Sequence, residues 1–553
     1  MRNHRQLGLC LVLLILLAYA LFPTRNYYWD GVGFALAIED AQGLMSGLFN
    51  PNHLLYNFFG YLLYHTLHWL TLDLRALCLL SICSILSSIG AAYLLFSVLM
   101  AELEDRYYSV CLTLLFAFSA TWWKFSTDAN AYVPSVFFLL LAASKLRKPR
   151  PNWAAIGLIH AVSVLLHQIA VFFYPVVLVA VFRKAWGQDR RQALRDASRY
   201  TVIVGGLVIL SYSWVWLGVV KGRAPDMGGV QQARVDTSGI RTARVDNFLS
   251  WVLSHGNEQY SFRSLTGNVQ ESVRSNVRLF FGGRVSLALS YIETPLLVIL
   301  SVLLVCSVGL LTLTLWQTFR THADPREMRI IKPKTANLLP LLLTWIGSFA
   351  AFLFLWLTEY PYYRLFYLPA LILLLGILMK RKHRLPAEEH SYALASFVVV
   401  MTLINFTFLI YPYSKTEATP PVDLAIKAKE IWKNDVIYYA DFNCDNWMFK
   451  YFNKRTTWRP ITFNDLQDLR EEMLYLKSQG KKTWIDVTAF DQMQQSNDLK
   501  QWFADEVSMP AWQGLTSEKH RIKFSLLVPR PGPYILGKGD PIAKPANTDA
   551  RDF

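Results

Sequence analysis

Charged side chains are scarce in this sequence. Only 17% of the 553 residues are Asp, Glu, Lys or Arg, whereas an average soluble protein has about a quarter. Hydrophobic residues make up 53%, and the mean hydropathy is +0.26. Several apolar runs reach the roughly 17–25 residues that cross a hydrocarbon core about 30 Å thick. The shortage of charge therefore excludes a water-soluble fold and predicts a polytopic membrane protein.

Several catalytic motifs are also missing. The chain contains no GxxxxGK[ST] phosphate loop, no HExxH, no paired CxxC and no GxSxG, which argues against nucleotide hydrolysis, zinc proteolysis and serine hydrolysis. Cysteines are few, and only Cys444 lies in the C-terminal tail, so no disulfide can form within that tail. We predict no cofactor, and no pattern supports a divalent metal.

The net charge of +15 lies largely in short connectors between apolar runs. Strongly basic runs occur at 145–151, 182–199, 316–335 and 379–384. If the N-terminus is cytoplasmic, all four connectors fall on the cytoplasmic side, as the positive-inside rule requires. The positive charge therefore predicts orientation and does not predict a nucleic-acid partner.

The apolar runs predict about eleven transmembrane helices. They lie near 7–23, 75–100, 107–123, 131–146, 153–167, 168–184, 200–219, 286–317, 338–357, 362–379 and 391–412. The first is expected to be an uncleaved signal anchor of a multi-pass protein in a bacterial inner or plasma membrane. Residues 1–412 then form a transmembrane domain whose loops 24–74 and 220–285 lie outside.

The tail, residues 413–553, is predicted to be a small extracytoplasmic α/β domain. Strands are expected within 434–441 and 481–490, and helices within 446–453 and 463–479, because strand and helix patterns alternate there. The last stretch is rich in Pro and Gly and is expected to be extended or disordered.

Polar side chains collect on the predicted outer face. The candidates are Asp30, Glu39, Asp40, His53, Asp128, Asn130, Tyr132 and His167. Asp30 begins a helical pattern and has two interpretations, an N-cap that accepts backbone hydrogen bonds or a general base. Glu39 falls on the opposite face of an unbroken helix, and Asp40 about 80° from Asp30.

The other candidates also have ordinary interpretations. Asp128, Asn130 and Tyr132 fit a solvated turn, and a lone His53 fits a capping or packing role. His167 lies between two apolar runs, where a polar side chain is costly and therefore indicates a function.

Arginines supply the positive charge of the predicted site. The 220–285 loop contains Arg223, Arg234, Arg241, Arg244, Arg263, Arg274, Arg278 and Arg284. For most of these we favour a solvated surface resting on lipid headgroups. Arg364 is bordered by Tyr and apolar residues, and we predict that its guanidinium binds a phosphate through paired hydrogen bonds.

These groups are sufficient for sugar transfer from a polyprenyl phosphate. A carboxylate removes the proton of an acceptor hydroxyl on a protein, lipid or glycan, and arginines hold the phosphate that leaves. A surface-polysaccharide ligase or polymerase would use the same donor chemistry. A lipid or solute transporter is the third interpretation, although transporters more often bury charge at mid-membrane and contain inverted repeats.

Four segments carry a resemblance to a known class. WDGVGFALAIEDAQGLMSGLFNPNHLLY contains Asp30, Phe34, Ser46–Gly47 and residues 51–56 in a characteristic order, and TDANAYVPSVFFLLLAASK, LLHQIAVFFYP and YYRLFYLPALILLL follow it. Together they resemble the GT-C class of membrane glycosyltransferases, especially the protein O-mannosyltransferase-like and aminoarabinose-transferase-like members and a related uncharacterised bacterial family.

The resemblance implies a helical membrane fold and an inverting transferase that uses a polyprenyl-phosphate sugar. It implies a base role for Asp30 and donor-phosphate binding by Arg364. Many relatives have two adjacent acids at the catalytic position, whereas Gly31 follows Asp30 here. The resemblance therefore extends to the base alone and gives no support for a metal.

Overall fold

The computed structural model divides the chain into two compact units, residues 1–427 with 443–453, and residues 428–442 with 454–553. The structure describes residues 2–41, 43, 48–185, 189–220, 264–320, 333–382, 387–419, 422–423, 425–426, 435–439, 444–453, 457–460, 466–486, 507–508 and 524–529. Five of the loop arginines, from Arg223 to Arg263, and the Pro/Gly-rich end from residue 530 onward lie outside these residues. The first unit includes residues 413–427 and 443–453 of the tail, and the domain boundary expected at 412/413 stays a prediction.

The first unit is almost entirely helical. Its helices are α1 Arg2–Leu21, α2 Trp29–Glu39, α3 Leu54–Trp69, α4 Ala76–Leu103, α5 Arg106–Ala117, α6 Ala120–Ser126, α7 Tyr132–Leu146, α8 Trp153–Leu166, α9 Tyr174–Ala185, α10 Arg190–Val215, α11 Leu265–Phe280, α12 Val285–Tyr291, α13 Thr294–Arg320, α14 Pro333–Leu355, α15 Leu368–Lys382, α16 Ala387–Asn405 and α17 Cys444–Phe452. Short 3₁₀-helices at Pro51–His53, Gln168–Phe173 and Pro361–Phe366 precede α3, α9 and α15.

Five helical segments of the described residues are long and apolar enough to cross a membrane. These are Ala76–Leu103, Arg190–Val219, Thr294–Trp316, Leu338–Leu355 and Tyr392–Tyr413, and four shorter apolar helices are Arg5–Leu21, Tyr132–Leu146, Trp153–Leu166 and Leu368–Met379. Each of the nine overlaps one predicted span, so the polytopic prediction agrees with the fold. The exact count of eleven stays a prediction.

The two remaining predicted spans are interrupted. The run 107–123 forms α5 and α6 with a break at Phe118 and Ser119. The run 168–184 starts as a 3₁₀ turn because His167 is extended and its ring accepts a hydrogen bond from the Ile169 N–H. Such a side-chain cap ends one helix and sets the direction of the next.

Hydroxyl side chains connect the helices of the first unit. Ser88 of α4 accepts hydrogen bonds from Trp122 Nε1 and from the Ser126 hydroxyl, each at 2.8 Å. Ser135 of α7 and Ser163 of α8 lie 2.9 Å apart through their hydroxyls. Small polar residues allow apolar helices to approach closely and hydrogen-bond to each other. These contacts hold the helices that carry the site.

The second unit contains a five-stranded mixed sheet. Its strands are β1 Val436–Tyr439, β2 Thr457–Pro460, β3 Thr483–Asp486, β4 Val507–Ser508 and β5 Phe524–Pro529, in the order β2-β1-β3-β5-β4. Strands β2, β1 and β3 are parallel, and β5 is antiparallel to β3 and β4. The described helix of this unit is α18, Leu466–Ser478.

A buried carboxylate sets the register of β1 and β3. Asp435 precedes β1 and accepts hydrogen bonds from the Lys482 N–H at 3.1 Å and the Trp484 indole N–H at 2.9 Å. Strands β1 and β3 and helix α18 lie within the segments where the sequence predicts two strands and a helix. The local strand propensity therefore predicts the same segments in which the structure buries Ile437 and Ile485.

Candidate active site

Helix α2 carries Asp30 in its first turn. The helix begins at Trp29, and its N-cap residue is Tyr28, whose side chain makes no capping bond. The N-cap interpretation of Asp30 is therefore wrong, although its carboxylate still lies at the end of α2 where the helix dipole favours negative charge. A Cβ on Gly31 would overlap the Ala129 carbonyl oxygen. Glycine is required there because α2 lies directly against that backbone.

The Asp30 carboxyl is partly buried. Burial raises the pKa of Asp30 to about 6, and a hydrogen bond from Tyr28 acts in the opposite direction. A carboxylate with such a pKa is mostly ionised at pH 7 and binds a proton more strongly than an ordinary Asp. This is the property that a general base requires.

Asp128 holds the loop below α2. Its side chain is 0% exposed and accepts hydrogen bonds from the N–H groups of Tyr28 and Ala129, both at 2.8 Å. Lys124 Nζ lies 3.6 Å from the carboxylate. Burial raises the pKa of Asp128 to about 6, and Lys124 and the two N–H groups oppose that shift. The solvated-turn interpretation is wrong for Asp128, because its carboxylate ties the beginning of α2 to the loop.

Asn130 organises the same loop from within. Its amide group donates to the carbonyl oxygens of Phe125 at 2.6 Å and Asp128 at 2.9 Å, and its oxygen accepts from the Val133 N–H at 3.0 Å. Asn130 is fully buried, so the solvated-turn interpretation is wrong here too. Its contacts shape the loop and begin α7.

Glu39 lies at the other end of α2 and is enclosed. Its side chain is 1% exposed and accepts hydrogen bonds from Arg75 Nε at 3.0 Å, the Ala76 N–H at 2.9 Å and the Tyr451 hydroxyl at 2.8 Å. The Arg75 guanidinium also stacks 3.8 Å above the Tyr451 ring. Glu39 therefore fastens α2 to α4 and α17, far from Asp30 along the helix.

Asp40 is the exposed neighbour of Glu39. Its carboxylate is 48% exposed and lies 2.9 Å from Lys450 Nζ of α17. Helix α17 also places Trp447 against Gly33, and its ring centroid is 6.4 Å from that of Trp29. The tail segment 443–453 thus covers one side of α2.

An aromatic and histidine cluster surrounds Tyr132. The Tyr132 hydroxyl lies 3.0 Å from the Tyr28 hydroxyl. Its ring centroid is 4.7 Å from that of His167, and His167 is 4.6 Å from His53. All four side chains are buried, so Tyr132 is not a solvated turn residue. The structure brings together three outer-face candidates that are far apart in the chain.

The imidazole of His53 is neutral in this environment. Its Nδ1 lies 3.3 Å from the Leu166 carbonyl oxygen, to which it donates, and its ring packs on Phe34 at 5.1 Å. Burial lowers the pKa of His53 to about 4, and the bond to Leu166 opposes the shift. These contacts fit the packing role expected of a lone His.

Arg364 is 1% exposed, which is unusual for an arginine. Its guanidinium donates to the carbonyl oxygens of Tyr360 at 2.8 Å and Thr358 at 2.7 Å, and Ser272 Oγ lies at 3.4 Å. No carboxylate of the described residues pairs with it. In this conformation the planar fork holds the loop before α15, and phosphate binding stays a prediction.

Three loop arginines lie within the described residues. Arg274 is 59% exposed and lies 3.5 Å from Glu271, as a solvated surface residue would. Within the described ranges, no group of three or more His, Cys, Asp or Glu side chains is arranged to hold a metal ion.

Several residues that take part in this region were not identified from the sequence. Lys124 precedes Asp128 by four positions, a helical spacing that could have indicated the ion pair. Tyr28 and Trp29 adjoin Asp30 directly. Tyr362 packs on Tyr132 at 5.2 Å, and no local pattern indicates that contact, because more than 200 residues separate the two.

Comparison with solved structures places this arrangement in a known architecture. The chain is similar to ArnT from Cupriavidus metallidurans in the apo state, with a TM-score of 0.54 and 11% identity over 95% of this chain and 98% of that one. It is also similar to the same protein bound to undecaprenyl phosphate, with a TM-score of 0.51 and 11% identity over 94% and 97%. The fold is GT-C-like.

Sequence comparison adds nothing to this result, since no protein-family model and no curated protein matches the chain. At 11% identity, the GT-C-like fold says where helices and loops lie and does not say which sugar or acceptor is used. Together with the apolar helices, it establishes an integral, polytopic membrane protein.

Proposed function

We propose that this chain is an inverting glycosyltransferase that moves a sugar from a polyprenyl-phosphate donor to an acceptor hydroxyl. The observation that carries the proposal is Asp30, a partly buried carboxylate with a raised pKa at the beginning of α2. The solved relative with bound undecaprenyl phosphate supports a polyprenyl-phosphate donor. The positive-inside pattern supports a site on the outer face of the membrane.

The reaction requires one base and one leaving group. Asp30 removes the proton of the acceptor hydroxyl while that oxygen attacks the anomeric carbon from the face opposite the phosphate. The bond between the anomeric carbon and the phosphate oxygen breaks, and polyprenyl phosphate leaves with the bonding electrons. The configuration inverts, and protonated Asp30 returns its proton to water.

The neighbouring groups have supporting roles in this proposal. Asp128 and Asn130 keep α2 and its loop in place, and Tyr132, His53 and His167 line the buried side of the site. Arg364 is a buried cation without an acidic partner among the described residues, so an incoming phosphate would compensate its charge. The Arg364 Nε–H has no hydrogen-bond partner among the described residues, so it is a donor that an incoming phosphate could use while Thr358 and Tyr360 keep their bonds to the guanidinium.

The test uses purified full-length protein, a panel of polyprenyl-phosphate sugars and a measurement of released polyprenyl phosphate. Asp30→Asn should bind the donor and turn over at least roughly a hundredfold more slowly, since a lost general base costs about 10²–10⁴ in rate. Asp40→Asn is the matched control, because it removes an exposed acid directly after the same helix. Wild-type turnover by Asp30→Asn would rule the base assignment out.

The acceptor decides between two forms of the same chemistry. A glycan acceptor would make the protein a surface-polysaccharide ligase or polymerase, and a protein or lipid acceptor would make it a modifying transferase. Protein, lipid and glycan acceptors offered separately with the active donor distinguish these forms. Anomeric configuration of the product tests inversion independently.

A further inference from the structure

A large cavity lies between α4, α7, α9, α14 and α15. Its volume is about 630 Å³, which is within the range of ligand-binding pockets. It is remote from Asp30. Asn130, in the loop below α2, lies 3.5 Å from Ser84 of α4, whereas the cavity begins at Val98, fourteen residues or about 21 Å further along that helix.

Most of the side chains that line the cavity are apolar. Leu140, Ala143, Val176 and Leu342 are among the side chains that line it, and Trp345 is also part of the wall. The Trp345 indole nitrogen donates to the Phe366 carbonyl oxygen at 2.9 Å, so this polar atom is already satisfied. Such a wall suits a hydrocarbon chain and offers little to a small polar solute.

The rim of the cavity is cationic. Arg147, Arg183 and Lys184 line it, with Glu102 as the one acidic residue among the lining side chains. Arg147 is held in place by Glu102, with nitrogen–oxygen distances of 2.7 and 2.8 Å. Arg183 and Lys184 are the other basic side chains of the lining. The cations come from the ends of α7 and α9, so they form one edge of the cavity.

We propose that this cavity binds an anionic glycerophospholipid, with an acyl chain between the helices and the phosphate at the basic rim. An apolar interior bordered by clustered Lys and Arg side chains matches a molecule with a hydrocarbon chain and a charged head. The basic rim belongs to the connectors that the positive-inside pattern assigns to the cytoplasmic side, where anionic lipids are abundant. The site is separate from the proposed donor site and does not rest on it.

Two variants test the two halves of the proposed site. Arg183→Gln with Lys184→Gln removes two rim charges and keeps polar side chains there, and Ala143→Phe fills the interior from a partly exposed position. The matched control is Arg191→Gln with Arg199→Gln, which removes two exposed charges from α10 outside the cavity lining. Size-exclusion profiles and thermal melting confirm that each variant folds, and Ala143→Leu replaces Ala143→Phe if the larger residue does not.

The measurement is native mass spectrometry of full-length protein titrated with phosphatidylglycerol or with phosphatidylcholine of the same acyl chains. We expect the wild type to bind phosphatidylglycerol preferentially. The rim variant should lose about tenfold or more of that affinity, because each basic residue near an anionic lipid contributes roughly a fivefold factor. The filling variant should lose binding, and the control variant should match the wild type.

Three outcomes would overturn the proposal. One is equal binding of the two lipids by the wild type. Another is unchanged phosphatidylglycerol binding in the filling variant, which would place the lipid elsewhere. The third is displacement by free glycerol phosphate at the lipid's own concentration, which would show that the rim binds a soluble phosphate and that the apolar interior contributes nothing.

Discussion

Replacing Glu39 by Gln tests whether the buried carboxylate holds α2 in place. Glu39 accepts three charge-assisted hydrogen bonds, from Arg75, Ala76 and Tyr451. Gln keeps one acceptor oxygen and turns an NH₂ group toward donors. The neighbouring Asp40 makes one half-exposed ion pair with Lys450 and serves as the matched comparison.

The magnitude follows from these contacts. A hydrogen bond to a charged group contributes about 1.5–3 kcal/mol and a neutral one about 0.5–1.5 kcal/mol, so three bonds lose about 3–4 kcal/mol. Arg75 is 42% exposed and is resolvated in the variant, which reduces the loss to about 2–3 kcal/mol. Asp40→Asn should cost about 1 kcal/mol or less, because exposed ion pairs contribute little.

The assay is the free energy of unfolding of full-length protein in bicelles, measured for both variants and for Tyr451→Phe. The double variant Glu39→Gln/Tyr451→Phe should be less destabilised than the two single changes added together, by about 1 kcal/mol, because both remove one shared bond. Turnover per folded molecule should be near wild type. A cost for Glu39→Gln within about 0.5 kcal/mol of that for Asp40→Asn would refute the reasoning.

Four further predictions address the site and its orientation. In pH-dependent unfolding, Asp30→Asn should be more stable than wild type by about 1–3 kcal/mol above pH 6 and equal to it below about pH 4. The raised pKa of Asp30 means that the folded state still holds a proton that the unfolded state has lost, so the stability of the wild type falls as pH rises between these values. Wild-type kcat/KM should rise with pH and level off above about 6, as an ionised base requires, and a flat profile from pH 5 to 8 would contradict the assignment. Arg364→Lys should weaken donor binding with little change in yield, measured by titration with a polyprenyl-phosphate sugar, and unaltered affinity would leave Arg364 as a structural residue. In a background without native cysteines, Lys415→Cys should react with an impermeant maleimide in intact cells and Lys148→Cys only after lysis, and the reverse pattern would invert the proposed orientation.

The helices of this protein were predictable from the sequence for a simple reason. In a hydrocarbon core every backbone polar group must be satisfied within its own helix, so a long apolar run has few alternatives. The nine apolar helices overlap predicted spans for that reason. Strands β1 and β3 lie within the predicted segments 434–441 and 481–490, since β-branched and aromatic residues favour strands locally.

The environment of each candidate residue was not predictable in the same way. Asp128 and Asn130 have the composition of a turn, yet both are buried, because a second segment beginning at Tyr28 covers the loop. Arg364 was expected to offer its fork to a phosphate, and in this structure the fork holds two carbonyl oxygens. The burial of a residue depends on which distant segments pack against it, and this cannot be predicted from the hydropathy of a short stretch of sequence.

The roles of Glu39 and Tyr451 show this division most clearly. The sequence predicted that Glu39 lies in one helical segment and Tyr451 in another, because helical patterns follow from neighbouring residues. Only the tertiary structure decided that the Tyr451 hydroxyl, 412 positions away, donates to the Glu39 carboxylate. A contact between segments so far apart depends on how the side chains of the whole helical unit pack in its interior. The helical periodicity of either segment is the same whether or not the two segments are in contact.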